Sequence, residues 1–314
     1  MATMTRTPRE STAGAWTIRR RRLGYRAPID AAGLIAYLGR RAVAGVEEVE
    51  GSAYRRSLRL PRGAGVIELR PRPDHIAATL WLHDPRDAET AVKRSRVLLD
   101  LDADPDAVQA ALAPDPVIGA AVRAVPGRRV PGHPDGAELA IRVVLGQQVS
   151  VAGATTLAAR LVTAYGEPLA QPLGGVTHLF PSSAALAQAD PAQLAMPAAR
   201  RRAVLGLADA VARGEITLDA DADADADRAE TERRLLALPG IGAWTVSYVA
   251  MRALGDRDAF VPTDLGVRRG LEALGHDGRP AAAAALAERW RPYRAYALQY
   301  LWAQLAAAPP EQAR

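Results

Sequence analysis

With 314 residues the chain is long enough for two or three domains around a sizeable core, and a formal net charge of +5 suits a polyanionic partner without requiring one. It has no cysteine, which excludes disulfides, thiolate metal sites, iron–sulfur clusters and cysteine nucleophiles. No apolar run approaches the ~18 residues of a membrane span and the N-terminus carries no apolar signal core, so a cytoplasmic, nucleoid-associated protein is expected.

Residues 1–20 are rich in Thr, Arg and Gly and read as a disordered N-terminus. Asp30 is placed to cap a helix reaching about residue 43, with Leu34, Ile35, Leu38 and Val43 as its apolar stripe. Strand-like runs follow at 46–49, 57–60, 65–69 and 76–82, punctuated by Gly and Pro turns, and a second helix is expected over 87–99. Residues 21–104 therefore read as a small α+β domain, an antiparallel sheet with helices.

From residue 105 the pattern is helical up to about 308, and 309–314 form a tail. Helices are expected at 105–112, 116–125, 135–145 and 150–165, the last with Ser150 as N-cap, then after Pro181 and over 198–214. Residues 168–175 read as loop. Between the second and third of these helices, Arg128 and Arg129 sit in a basic, turn-rich loop, suited either to a nucleic-acid backbone or simply to solvent. The Asp-Ala alternation at 219–227 reads as a solvated acidic loop. The His, Asp and Glu residues show no metal-ligand spacing.

The most informative stretch runs from Leu238 through Pro239, Gly240, Ile241, Gly242 and Ala243 to Trp244 and Thr245. Pro239 ends one helix, Gly240 and Gly242 allow a tight turn with backbone values closed to other residues, and a second helix starts at Ala243. Such a turn aims backbone N–H groups outward at a helix start, a seat for phosphate. Asp264 follows a Pro-containing loop and precedes a helix carrying Arg268 and Arg269, which puts a carboxylate at an N-cap.

Together these motifs resemble the helix-hairpin-helix DNA glycosylase superfamily, and the Gly-Ile-Gly-x-Trp-Thr-x-x-Tyr segment resembles its bacterial 3-methyladenine DNA glycosylase II branch. The segments 144–150 and 288–297 extend the likeness over most of the chain. The resemblance implies a helical helix-hairpin-helix core over 105–308, with two subdomains and a cleft between them. It makes Asp264 the catalytic carboxylate and assigns Trp244, Tyr248, Trp302 and Tyr37 to the base pocket. It gives the Gly240, Gly242 and Ala243 amides and the Thr245 hydroxyl to phosphate, and makes Val130 a wedge in the duplex. The Leu236, Leu238 and Ile241 carbonyls would hold a monovalent cation, with no catalytic cofactor. In relatives that also cut the strand a Schiff-base lysine stands where Trp244 does, and the only lysine here is Lys93. Leu265 and Gly266 replace bulkier family residues, which implies a roomier pocket.

A fixed carboxylate beside an electron-rich aromatic pocket suits cleavage of an N-glycosidic bond to a cationic base, because the sugar gains positive charge as the bond breaks. The expectation is a monomeric, monofunctional DNA glycosylase that flips and excises alkylated purines from duplex DNA. A glycosylase for deaminated or oxidised bases and a non-catalytic damage-binding module are the alternatives.

Overall fold

Strict alternation of buried and half-buried residues along Ile76–Leu82 marks a strand with one face in a core, and Ile76, Ala78, Leu80 and Leu82 are all buried. The computed structural model describes residues 16–218 and 224–307. In chain order the first part comprises β1 (Thr17–Leu23), α1 (Ala31–Gly39), β2 (Glu47–Glu50), β3 (Ala53–Leu60), β4 (Gly63–Pro71), β5 (Ile76–Leu82) and α2 (Ala88–Leu98). The strands form one antiparallel sheet in the order β1-β5-β4-β3-β2. Leu34, Ile35 and Leu38 of α1 pack on it with Ala91 and Leu98 of α2. Asp30 caps α1 as expected, its Oδ1 accepting from Gly33 N.

The expected disordered start needs correcting. Residues 1–15 lie outside the described residues, but Thr17–Leu23 is the edge strand of the sheet, paired in register with β5. Its four consecutive arginines hide the period-2 signal, because an edge strand presents their charged ends to solvent.

The second part comprises α3 (Pro105–Leu112), α4 (Gly119–Ala124), α5 (Gly136–Leu145), α6 (Val151–Tyr165), β6 (Glu167–Leu173), β7 (Val176–Leu179), α7 (Ser183–Ala187), α8 (Ala198–Ala212), α9 (Ala224–Ala237), α10 (Ala243–Arg252), α11 (Leu265–Ala273), α12 (Pro280–Ala287) and α13 (Arg294–Ala307). The segment expected as loop at 168–175 belongs to the β6–β7 hairpin, whose prolines conceal it in the sequence. Of the Asp-Ala run, 219–223 lies outside the described residues and the rest begins α9, while the 309–314 tail also lies outside them.

The helices enclose two clusters. One gathers α5, α6, α8 and the start of α10, the other α3, α4, α11, α12 and α13. Trp244 and Tyr248 of α10 touch both, so α10 is the spine between them. The sheet joins the second part through β3, where Ser57 Oγ donates to His178 O of β7 and the fully buried Arg56 reaches Glu138 of α5.

Candidate active site

α9 ends at Ala237 and α10 begins at Ala243, so the turn between them is set by Leu238 to Gly242. Gly240 has φ +86, and a Cβ there would lie 2.9 Å from the Cβ of Ala203, so backbone and space both demand glycine. Gly242 differs from the expectation. Its φ of −106 is ordinary extended backbone and a Cβ would meet nothing. It is the N-cap of α10 with no side chain capping it, and Gly242 and Ala243 are exposed, which leaves first-turn N–H groups facing outward.

Asp264 caps α11, its Oδ1 accepting from Val267 N at 3.1 Å. Two indoles close on the same carboxylate. Trp302 Nε1 donates to Oδ1 at 2.8 Å and Trp244 Nε1 donates to Oδ2 at 2.9 Å. Tyr248 stands one turn beyond Trp244, its ring centroid 5.4 Å from that indole and 5.9 Å from Trp302. Trp244, Tyr248, Trp302, Asp264 and Gly266 line one cleft of about 420 Å³, within the range of small-ligand sites. Two indoles, 20 positions before and 38 positions after Asp264 in the chain, are thus brought to one carboxylate.

Tyr37 sits behind this wall. Its hydroxyl lies 3.3 Å from that of Tyr248, and the Arg41 guanidinium covers its ring at 3.8 Å. It therefore braces Tyr248 where the resemblance implied direct lining of the pocket. Arg252, two turns along α10, donates from Nη1 to Tyr248 Oη at 3.3 Å and from Nε and Nη2 to the carbonyls of Pro131 and Gly132. Burial alone would raise the Tyr248 phenol, but Arg252 and Arg41 outweigh it and bring it down to about 8. The Tyr37 phenol is pushed up by burial. Sequence reasoning assigns no role to Arg252, or to Gln147 within the 144–150 segment. The only signal for Arg252 was its place two turns beyond Trp244 on the face of Tyr248.

Several expected DNA contacts are corrected by the same geometry. Val130 is buried in the second helical cluster, with its N–H bonded to Asp100, so its side chain is not presented to a duplex. Arg129 is buried and donates to the carbonyls of Arg26 and Pro28, tying the sheet domain to the helices. Arg128 is half-buried, 3.6 Å from Asp30 and over the Tyr300 ring. Thr245 is also buried; its hydroxyl accepts from Gln147 Nε2, which donates as well to Gly240 O and so ties the turn after α5 to the hairpin. Leu265 is exposed as a bulkier residue could be, but the room at Gly266 is already filled. A Cβ at 266 would lie 2.7 Å from Trp302 Cδ1.

At the hairpin, Leu238 O accepts from Ile241 N, while the Leu236 and Ile241 carbonyls receive none of the described backbone hydrogen bonds from the turn. Backbone carbonyl oxygens are ligands suited to a hard cation. Among the described residues, no group of three or more His, Asp or Glu could hold a metal ion, and no helix is long and apolar enough to cross a membrane.

Comparison with known proteins agrees with this arrangement. Residues 20–135 match the AlkA N-terminal domain family, and residues 141–294 match the HhH-GPD superfamily of base excision DNA repair proteins, which defines the class. The chain is 35% identical to DNA-3-methyladenine glycosylase 2 of Escherichia coli across 89% of its own length and 95% of the relative's. It belongs to that glycosylase family. A Mycobacterium tuberculosis protein named "Probable bifunctional transcriptional activator/DNA repair enzyme AlkA" is 48% identical over 94% of this chain, which spans 58% of that longer relative. The 3-methyladenine DNA-glycosylase of Archaeoglobus fulgidus shares the fold, with a TM-score of 0.77 at 21% identity, over 90% of this chain and 97% of that one.

Proposed function

We propose that this chain is a monofunctional DNA glycosylase that flips alkylated purines of the 3-methyladenine and 7-methylguanine type out of duplex DNA and hydrolyses their N-glycosidic bonds. The observation that carries the reading is the Asp264 carboxylate, held by two indole N–H groups at the wall of an aromatic cleft. Capping α11 accounts for the bond from Val267 but not for the two indoles, which a non-catalytic binding module does not need.

Extrusion of the nucleotide brings its base against Trp244, Tyr248 and Trp302, whose ring faces attract the positive charge of an N-alkylated purine. As the glycosidic bond lengthens, charge moves from the base to the sugar. Asp264, fixed by three donors, faces that growing oxocarbenium character without needing to reorganise. Water completes the reaction at the sugar carbon, and the free base leaves. Trp244 stands where a Schiff-base lysine would, and a neutral indole does not attack the sugar, so the product strand carries an intact abasic site.

The hairpin docks the duplex in this reading. The N–H groups at Gly240, Gly242 and Ala243 meet a phosphate, and a monovalent cation on the Leu236, Leu238 and Ile241 carbonyls bridges to the same strand. The protein works as a monomer on chromosomal DNA in the cytoplasm.

Asp264→Asn keeps the cap and removes the charge. Free methylated base, measured by mass spectrometry after incubation with alkylated duplex, should fall by about 10²-fold or more at unchanged duplex affinity. The wild-type product strand should stay uncut until alkali is added, with no adduct trapped by borohydride. Excision within about tenfold of wild type in Asp264→Asn would refute the assignment.

A further inference from the structure

One of the two indoles on Asp264 has its place only because residue 266 lacks a side chain. Gly266 lies in the first turn of α11 and is not among the residues with positive φ, so its backbone does not call for glycine. The space around it does. A Cβ would stand 2.7 Å from Trp302 Cδ1, 2.8 Å from Trp302 Nε1 and 2.8 Å from Asp264 Oδ1. It would therefore press on both partners of the Trp302–Asp264 hydrogen bond at once.

One turn further along α11, a Cβ at Gly270 would lie 2.9 Å from the Leu301 carbonyl. Gly266 and Gly270 share a face, and together they let α13 approach α11 closely enough to bring Trp302 onto the carboxylate. Asp264 cannot retreat from an added methyl without losing the Val267 N–H and the Trp244 indole that hold its two oxygens. Trp302 can retreat only by giving up its own hydrogen bond.

We propose that Gly266 is a positioning residue for the reaction: its missing side chain seats the Trp302 indole N–H on Asp264, and so fixes the direction in which the carboxylate faces the sugar. The inference rests on Asp264 being the reacting carboxylate. It differs from a role in making room for a large base, because the space at 266 is filled by the protein's own indole.

The test is a double-mutant cycle on single-turnover excision and duplex affinity. It uses duplexes with one 3-methyladenine-sized lesion or one larger etheno-adenine. Gly266→Ala should slow excision of both lesions by about tenfold or more at unchanged duplex affinity, since small displacements of a reacting group are costly. Trp302→Phe should slow both similarly, because it keeps a ring and loses the N–H. In the Trp302→Phe background the indole N–H is already lost, so adding Gly266→Ala should cost clearly less than it does in the wild type. If Gly266→Ala alone does not fold, combining it with Trp302→Ala, which removes the ring in its way, should restore folding and match Trp302→Ala alone.

Three results would overturn the proposal: wild-type rates for Gly266→Ala, the same loss in both backgrounds, or loss confined to the larger lesion. Asp264→Asn run alongside separates the two failures. If it still excises, the reading of Asp264 is wrong. If it is inactive while Gly266→Ala is not, only the role of Gly266 is.

Discussion

Tyr248 stacks on Trp244 and lies tilted against Trp302 while its hydroxyl lies within 3.3 Å of both Tyr37 and Arg252, so one side chain joins the cleft wall to a buried cation. Its phenol, opposed by burial but drawn down by Arg252 and Arg41, titrates at about 8 and is the member of the tyrosine pair that ionises first. The deprotonated form carries the negative charge, so attraction for a cationic base should grow as pH rises through about 8. Affinity for duplex holding a cationic 3-methyladenine should then increase by about threefold to tenfold, the worth of one partly screened charge contact. Tyr248→Phe should lose the step, and a neutral lesion should never show it. The same step in Tyr248→Phe would assign it to another group. At this scale the sequence was readable where a residue's chemistry and helical spacing leave few options, as for Trp244, Tyr248 and Asp264. Arg128, Arg129 and Val130 were not, because an Arg-Arg-Val-Pro-Gly loop reads the same whether its side chains face solvent or the neighbouring domain. Here Arg129 spends its guanidinium on backbone carbonyls at the domain seam.

The hairpin shows how two glycines in one element answer to different causes. Gly240 is dictated by the fold, through its φ of +86 and the contact with Ala203. Gly242 is not, since its backbone is extended and the space around it is open. Gly240→Val should therefore destabilise the protein by roughly 1–3 kcal/mol in urea unfolding. Gly242→Val should fold with wild-type stability and still weaken binding to damaged and undamaged duplex alike, because a side chain there intrudes only when a phosphate arrives. Equal duplex affinity in Gly242→Val and wild type would reduce the turn to a structural link between α9 and α10. Most helices could be read directly from caps and apolar stripes, as with Asp30 before α1 and Ser150 before α6. Among the strands that escaped, β7 is simply too short to show a pattern, while β1 and β6 share a cause. Each pairs along one edge only, so arginine and proline are tolerated and the alternating pattern disappears.

At the scale of the whole molecule, the cleft depends on how the sheet domain is fastened to the helices, because Tyr37 of α1 braces Tyr248 of α10 across that seam. The fastening is a buried charge cluster. Arg56 of β3 donates from Nη2 to Glu138 of α5 at 2.6 Å, Arg142 lies 2.8 Å from Glu138 and 2.9 Å from Glu47, and Tyr54 donates to Glu47. His133 completes it, 3.5 Å from Glu138. Burial opposes ionisation of Glu138, yet Arg56, with His133 and Arg142, more than offsets this and holds its carboxyl well below the ordinary 4.5. A carboxyl depressed in the folded state stabilises the protein at pH values above its unfolded titration, and that stabilisation is lost as pH falls through the folded value. Arg56→Met keeps much of the volume but leaves two buried carboxylates short of one cation, which should cost about 3–5 kcal/mol near neutral pH. Without the guanidinium, Glu138 takes up its proton at higher pH than in the wild type. The stability gap between the two proteins should therefore be widest near neutrality and narrow as pH falls through the variant's raised Glu138 value toward the depressed wild-type one. Urea midpoints measured at about pH 7 and about pH 4 give the comparison. Because the seam carries Tyr37, excision by Arg56→Met should fall at urea concentrations that leave the wild type fully active. A gap of the same size at both pH values would mean that lost packing, and not the unpaired carboxylates, accounts for the change.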